Sequence, residues 1–122
     1  MINLNIDNIA VQVEENSTIL DAAKKIGVDI PTLCYHEDLC VAGNCRVCVV
    51  EIEGRPRLET SCSTPVEDNM IIKTNSPKVR NSRKIITELL NLFRHIFLHA
   101  ITKVVGKRLK LKVFLFFVFI NL

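Results

Sequence analysis

Five cysteines hold most of the chemistry this chain can do: Cys34, Cys40, Cys45, Cys48 and Cys62. Their number is odd, and the N-terminus lacks a basic region followed by an apolar run. A reducing, cytoplasmic setting is therefore expected, where thiols serve metals or catalysis before disulfides. Cys34, Cys45, Cys48 and Cys62 form C-x10-C-x2-C-x13-C. A [2Fe–2S] cluster needs four thiolates around two irons, more than one loop turn can offer. The C-x2-C pair gives two from nearby backbone positions, and the outer cysteines give two from separate points in the chain. Between them, Val41-Ala42-Gly43-Asn44 is small and flexible. Gly43 can take positive φ, so backbone N–H groups can approach a sulfur and stabilise its negative charge. Such donors raise a reduction potential, and carboxylates such as Glu37 and Asp38 lower it.

Alternatives exist at each step. Cys40-x4-Cys45-x2-Cys48 matches the plant-type spacing, which makes Cys40 an alternative first ligand. Cys62 lies too close for that pattern and favours Cys34. A C-x2-C also suits zinc, but zinc sites usually pair two such knuckles and this chain has one. A non-redox interaction module with structural zinc at the same cysteines is the alternative reading. A Rieske site would need histidine at position 48, where Cys48 stands. His36 reads as a loop side chain near the cluster. His95 and His99 have metal-binding spacing but no thiolate or carboxylate beside them, and read as surface residues. No nucleophile–base pair or phosphate-cradling glycine loop is visible, so no independent active site is expected.

The elements around these residues are legible from periodicity. Ile2 to Ile6 alternates apolar and polar, Asp7-Asn8 is a turn pair, and Ile9, Val11 and Val13 resume the alternation, so a β-hairpin is expected. Thr18 and Asp21 form a capping box before a helix whose apolar face is Ile19, Ala22, Ala23 and Ile26, with Lys24 and Lys25 outside. Gly27 ends it, and Pro31 forces an extended approach to Cys34. Residues 46–53 read as a strand with Cys48, Val50 and Ile52 facing the core. Shorter strands are expected over 58–62 and 70–72. Ser76-Pro77 opens a second helix carrying Val79, Ile86, Leu89 and Phe93. A mixed sheet with one helix packed across it is an α+β arrangement.

Charge divides the chain. Residues 1–75 carry twelve acidic and six basic side chains, a net of −6, whereas residues 76–122 carry ten basic side chains and only Glu88, a net of +9. All six Phe fall between Phe93 and Phe119. The expected organisation is a cluster domain over 1–76, a helix leading out over 77–93 and a basic, apolar tail over 94–122. Within the tail, 113–120 is an uncharged run, VFLFFVFI, too short to span a bilayer. The tail admits three origins: a frameshifted or truncated frame, a surface docking on a partner subunit, or a peripheral membrane anchor assisted by Lys103, Lys107, Arg108, Lys110 and Lys112. The basic residues are not interleaved with aromatics, and the acidic N-terminal part repels phosphate, so a nucleic-acid partner is not expected.

Ile30-Pro31-Thr32-Leu33-Cys34-Tyr35-His36, Val41-Ala42-Gly43-Asn44-Cys45-Arg46-Val47-Cys48-Val49-Val50-Glu51 and Thr60-Ser61-Cys62-Ser63-Thr64-Pro65-Val66 closely resemble one family. It is the N-terminal [2Fe–2S] domain of iron-only, NAD(P)-linked hydrogenases and of the large iron–sulfur subunit of NADH dehydrogenase. The resemblance runs from residue 1 to about residue 90. It implies a β-grasp, ferredoxin-like fold, cluster ligands at Cys34, Cys45, Cys48 and Cys62, and Cys40 as a bystander. It also implies a one-electron transfer module that works beside other iron–sulfur or flavin subunits or domains of a redox complex. The hydrogenase branch is the closer of the two. Relatives continue into further cysteine-bearing segments, whereas no cysteine follows Cys62 here, so hydrogen chemistry is not carried over.

Overall fold

The computed structural model describes residues 1–104. The elements, in chain order, are β1 (Ile2–Ile6), β2 (Ile9–Val13), α1 (Ile19–Lys25), β3 (Val49–Ile52), β4 (Leu58–Thr60), β5 (Ile71–Lys73) and α2 (Pro77–Val104). The chain divides into two compact units, the first Met1–Thr87 and the second beginning at Glu88.

The hairpin forms because Asp7 and Asn8 both take positive φ, 49° and 70°. That is the two-residue turn whose twist matches antiparallel strands, and it sets Ile6 opposite Ile9. β1 then pairs in parallel with β5, with Asn5 opposite Ile71 and Ile6 opposite Ile72. β3 lies antiparallel to both β5 and β4. The mixed sheet has the order β2-β1-β5-β3-β4. The Asp7 carboxylate fastens the hairpin turn to the end of β5. It accepts the Thr74 amide at 2.8 Å and also the Thr74 hydroxyl.

Helix α1 starts where the capping box predicts. The Thr18 hydroxyl accepts the Asp21 amide at 3.2 Å, and the Asp21 carboxylate accepts the Thr18 amide at 3.0 Å. It stops at Gly27, φ 74°. There Gly27 N–H donates to Lys24 and Val28 N–H to Ala23, each at 3.0 Å, the paired bonds of a Schellman stop. Ile19, Leu20, Ala22 and Ala23 are buried in one apolar cluster with Leu4, Ile6, Val50, Ile52 and Ile72 of the sheet. Full burial of each large aliphatic there contributes about 1.5–3 kcal/mol. The result is an α+β grasp: a five-stranded sheet with a helix packed on one face.

Four elements differ in their bounds from the sequence expectation. The strand expected over 58–62 ends at Thr60, because residues 61–63 turn and carry Cys62 out of the sheet, and the strand expected over 70–72 covers Ile71–Lys73. The strand expected over 46–53 begins at Val49, because Arg46 takes φ 55° and the C-x2-C segment bends before the strand can start. The helix expected over 77–93 runs on to Val104. No Gly or Pro lies between Pro77 and Val104 to stop it. Ser76 caps it, its hydroxyl accepting the Val79 amide at 3.3 Å. The run 113–120 and the basic residues Lys107, Arg108, Lys110 and Lys112 lie outside the described residues. Among the described residues, no helix is long and apolar enough to cross a membrane.

Candidate metal centre

The thiols come together at the end of the sheet where β3 begins and β4 ends. Cys48 immediately precedes β3, and Cys62 sits in a turn just past β4. β3–β4 pairing sets Val49 opposite Thr60, which brings the two thiols side by side, Sγ to Sγ 3.4 Å. Both are buried, Cys48 2% and Cys62 1% exposed.

The Cys62 turn is held from two sides. Its neighbour Ser61 donates an amide to the Cys48 carbonyl at 3.1 Å and accepts the Leu20 amide of α1 at 3.0 Å. Ile19 N–H reaches the Thr64 carbonyl at 3.1 Å, and the Thr60 and Ser63 hydroxyls share a 2.6 Å bond. The capping box therefore does more than start a helix. It orients the first amides of α1 onto the segment that carries Cys62. The Ser61 hydroxyl is buried without a hydrogen-bond partner.

Cys34 and Cys45 form a second pair, both half-buried. The thiol of Cys34 is drawn below its usual pKa chiefly by the Cys45 backbone N–H, then by the Cys45 side chain, with the amides of Asn44 and of Cys34 adding to the effect. This is the donor loop expected from Val41-Ala42-Gly43-Asn44. Gly43 has φ 62°, and a Cβ there would stand 3.6 Å from the Ser63 hydroxyl. Positive φ, not lack of room, is what favours glycine. Cys62 is pushed up to about 12, first by burial, then by its contact with Cys48 and the charges of Cys48, Cys34 and Cys45. The same four sulfurs thus act on one another, two pairs within electrostatic reach. Cys40 is exposed.

Among the described residues, no three His, Cys, Asp or Glu side chains converge on a single metal ion. The thiols are arranged two and two, which suits two irons sharing four thiolates. Soft thiolates buried beside an apolar core, with amides aimed at sulfur, are the donor set that such a cluster takes.

The loop ahead of this site is tied down by charge. Lys24 Nζ lies 2.7 Å from a Glu37 carboxylate oxygen and 4.9 Å from the centre of the Tyr35 ring. The bond from Lys24 holds Glu37 below the ordinary carboxylate pKa. Glu37 therefore stays ionised and is paired with the Lys24 ammonium. His36 is an exposed loop residue whose Nδ1 accepts the Asp38 amide at 3.2 Å. His95 and His99 are exposed on α2. One neighbour of the site escapes sequence reasoning altogether. Arg83, on α2, donates from Nη2 to the Val49 carbonyl at 2.8 Å. Nothing local marks it, because it follows the last cysteine by several turns and elements.

Residues 1–77 match the family model described as "2Fe-2S iron-sulfur cluster binding domain". The NADP-reducing hydrogenase subunit HndD of Solidesulfovibrio fructosivorans is 55% identical over 95 residues, a match covering 74% of this chain and 16% of that protein. The NADH-ubiquinone oxidoreductase 75 kDa subunit of Reclinomonas americana is 47% identical over 90 residues, covering 74% of this chain and 13% of the other. Among solved structures, an NAD+-reducing [NiFe]-hydrogenase in the H2-reduced state superposes with a TM-score of 0.66 at 30% identity, over 73% of this chain and 37% of that one. The chain thus spans about one-sixth or less of the length of these two curated relatives.

Proposed function

The chain belongs to the 2Fe–2S iron–sulfur cluster binding domain family and is an iron–sulfur electron-transfer module, and from that premise we propose that Cys34, Cys45, Cys48 and Cys62 hold its cluster, with Cys40 outside the ligand set. The observation that carries this assignment is the mutual electrostatic reach of those four thiols, anchored by the 3.4 Å Cys48–Cys62 contact. When bound, the cluster supplies a one-electron couple whose reduction adds one negative charge.

The residues divide the remaining work. Cys48 and Cys62 bring buried thiols fixed by β3–β4 pairing. Cys34 brings a thiol under the backbone N–H groups of Cys45 and Asn44, which stabilise thiolate charge and raise the potential, and Cys45 brings the thiol paired with it. The apolar core behind Cys48 and Cys62 keeps water from that side, and Lys24 compensates Glu37 at the loop in front. In organisation, 1–76 is the cluster-holding part, 77–93 leads out of it within a helix that continues to Val104, and 94–122 is the basic and apolar tail.

The partners we propose are other iron–sulfur or flavin subunits or domains of a redox complex, of hydrogenase type before NADH dehydrogenase type. The relatives named above are subunits of such enzymes, and the HndD subunit has the higher identity of the two. The exposed Leu89, Phe93 and Phe97 of α2 give a partner apolar surface to cover. The test is iron and acid-labile sulfide analysis of anaerobically prepared chain, with EPR of the dithionite-reduced form. Cys34→Ser, Cys45→Ser, Cys48→Ser and Cys62→Ser should each lose or alter the spectrum, and Cys40→Ser should keep it. Colourless protein holding one zinc would reverse the assignment to the structural-zinc alternative.

A further inference from the structure

The sheet face turned away from α1 has its own small buried patch. Val50 and Ile52 of β3 point into the main core, so the intervening pleat sends Val49 to the other side. Val49 is 1% exposed, and Val79 in the first turns of α2 is 0% exposed. Arg83 follows Val79 by one helical turn and is half-buried. Its Nη2 donates to the carbonyl of Val49 at 2.8 Å, and its Nε is buried without a hydrogen-bond partner.

A guanidinium in that position is an anomaly for a merely structural residue. It has left much of its hydration, yet none of the ion pairs found among the described residues includes it. A single carbonyl bond and an orphaned N–H are poor compensation for burying a charge. The remaining compensation is negative charge held nearby. Burial lowers the Arg83 pKa, and the opposing influences are the charges of Cys48 and then Asp7. Arg83 is thus bonded to the residue that follows Cys48 and lies within electrostatic reach of the Cys48 sulfur.

We propose that Arg83 is an electrostatic positioning residue for the cluster: its fixed positive charge, anchored on the Val49 carbonyl beside Cys48, raises the midpoint potential of the centre. The inference rests on Cys48 being a ligand. Reduction adds one electron and one negative charge without making or breaking a bond. A cation that cannot be deprotonated favours the reduced state more than the oxidised one, and partial burial protects that preference from screening.

The test is an EPR-monitored redox titration of the reconstituted full chain, native and with Arg83→Met, Arg83→Gln and Arg83→Lys. Loss of charge in Met and Gln should lower the midpoint by about tenfold in the reduction equilibrium, ~59 mV for one electron. Lys, which keeps the charge, should stay within about threefold of native. The proposal is overturned if Met or Gln loads its cluster and keeps the native midpoint. It is equally overturned if Lys falls as far as they do, since the bond to Val49 and not the charge would then matter. Should neither neutral variant hold a cluster while Lys does, Arg83 is structural and the tuning role is wrong. A native chain without a reducible chromophore would instead defeat the ligand reading, and this inference with it.

Discussion

Cys62 is a thiol pressed into an apolar core, and its behaviour without metal should differ from that of Cys34, 28 residues earlier in the chain but within its electrostatic reach. Burial and three neighbouring sulfurs push Cys62 up to about 12, whereas amide donors pull Cys34 down. In metal-free protein at pH 8, iodoacetamide should therefore carboxyamidomethylate Cys34 well before Cys62, as peptide mass mapping would show. The shift also has a sign for stability. A folded-state pKa raised above the unfolded value of 9.0 stabilises the metal-free fold fully below that pH. The contribution is lost as pH rises through the folded value, about 12. Urea midpoints of the apo protein should accordingly fall between pH 9 and 12, and Cys62→Ala should flatten that part of the profile. An unchanged profile in the variant would mean that Cys62 is not the group responsible.

Helix α1 links local signals to the site. Its capping box is readable as Thr18 and Asp21, and the bonds form as read. Thr18→Ala should cost about 1–2 kcal/mol in urea unfolding. The loss should reach further than the helix, because Leu20 and Ile19 amides hold the Ser61 and Thr64 carbonyls on either side of Cys62. Cluster half-life under a chelator should shorten in the same variant. A destabilised apo protein with native cluster lifetime would show that the helix and the Cys62 turn are uncoupled. The C-x2-C segment teaches the converse lesson. Its residues look like the start of a strand, yet Arg46 adopts φ 55° and its guanidinium bonds the Leu58 carbonyl at 3.0 Å. A turn that delivers two thiols to one place outweighs the strand preference of its neighbours.

Across the first unit, the core and the proposed metal centre share material. Cys48 and Cys62 belong to the same buried cluster as Ile6, Val50 and Ile72. Cluster binding and folding should therefore be coupled: ligand free energy available only to the folded chain adds to its stability. Ile72→Ala, at a fully buried position of the central strand β5, should cost about 2–5 kcal/mol. For a domain this small, that is a large share of the whole stability. The metal-free variant should be largely unfolded by circular dichroism, and reconstitution should recover much of its signal. If the variant is equally destabilised with and without iron, core and centre are energetically separate.

The hairpin, the capped helix, its Gly27 stop and the cysteine spacing were all open to reading in one dimension. Each is written in residues a few positions apart, where backbone preference and periodicity act directly. Which sulfurs face one another is a different kind of fact. Cys40 is nearer to Cys45 along the chain than Cys34 is, yet it is Cys34 that the loop folds against the Cys45 amide, while β3–β4 pairing closes Cys48 on Cys62. Arg83 is the extreme case. No neighbour in the chain marks it, and its place beside Cys48 follows from packing the first turns of α2 over the back of β3. Such long-range contacts depend on sheet order and on which faces remain to be covered, and both arise only when the whole chain has closed.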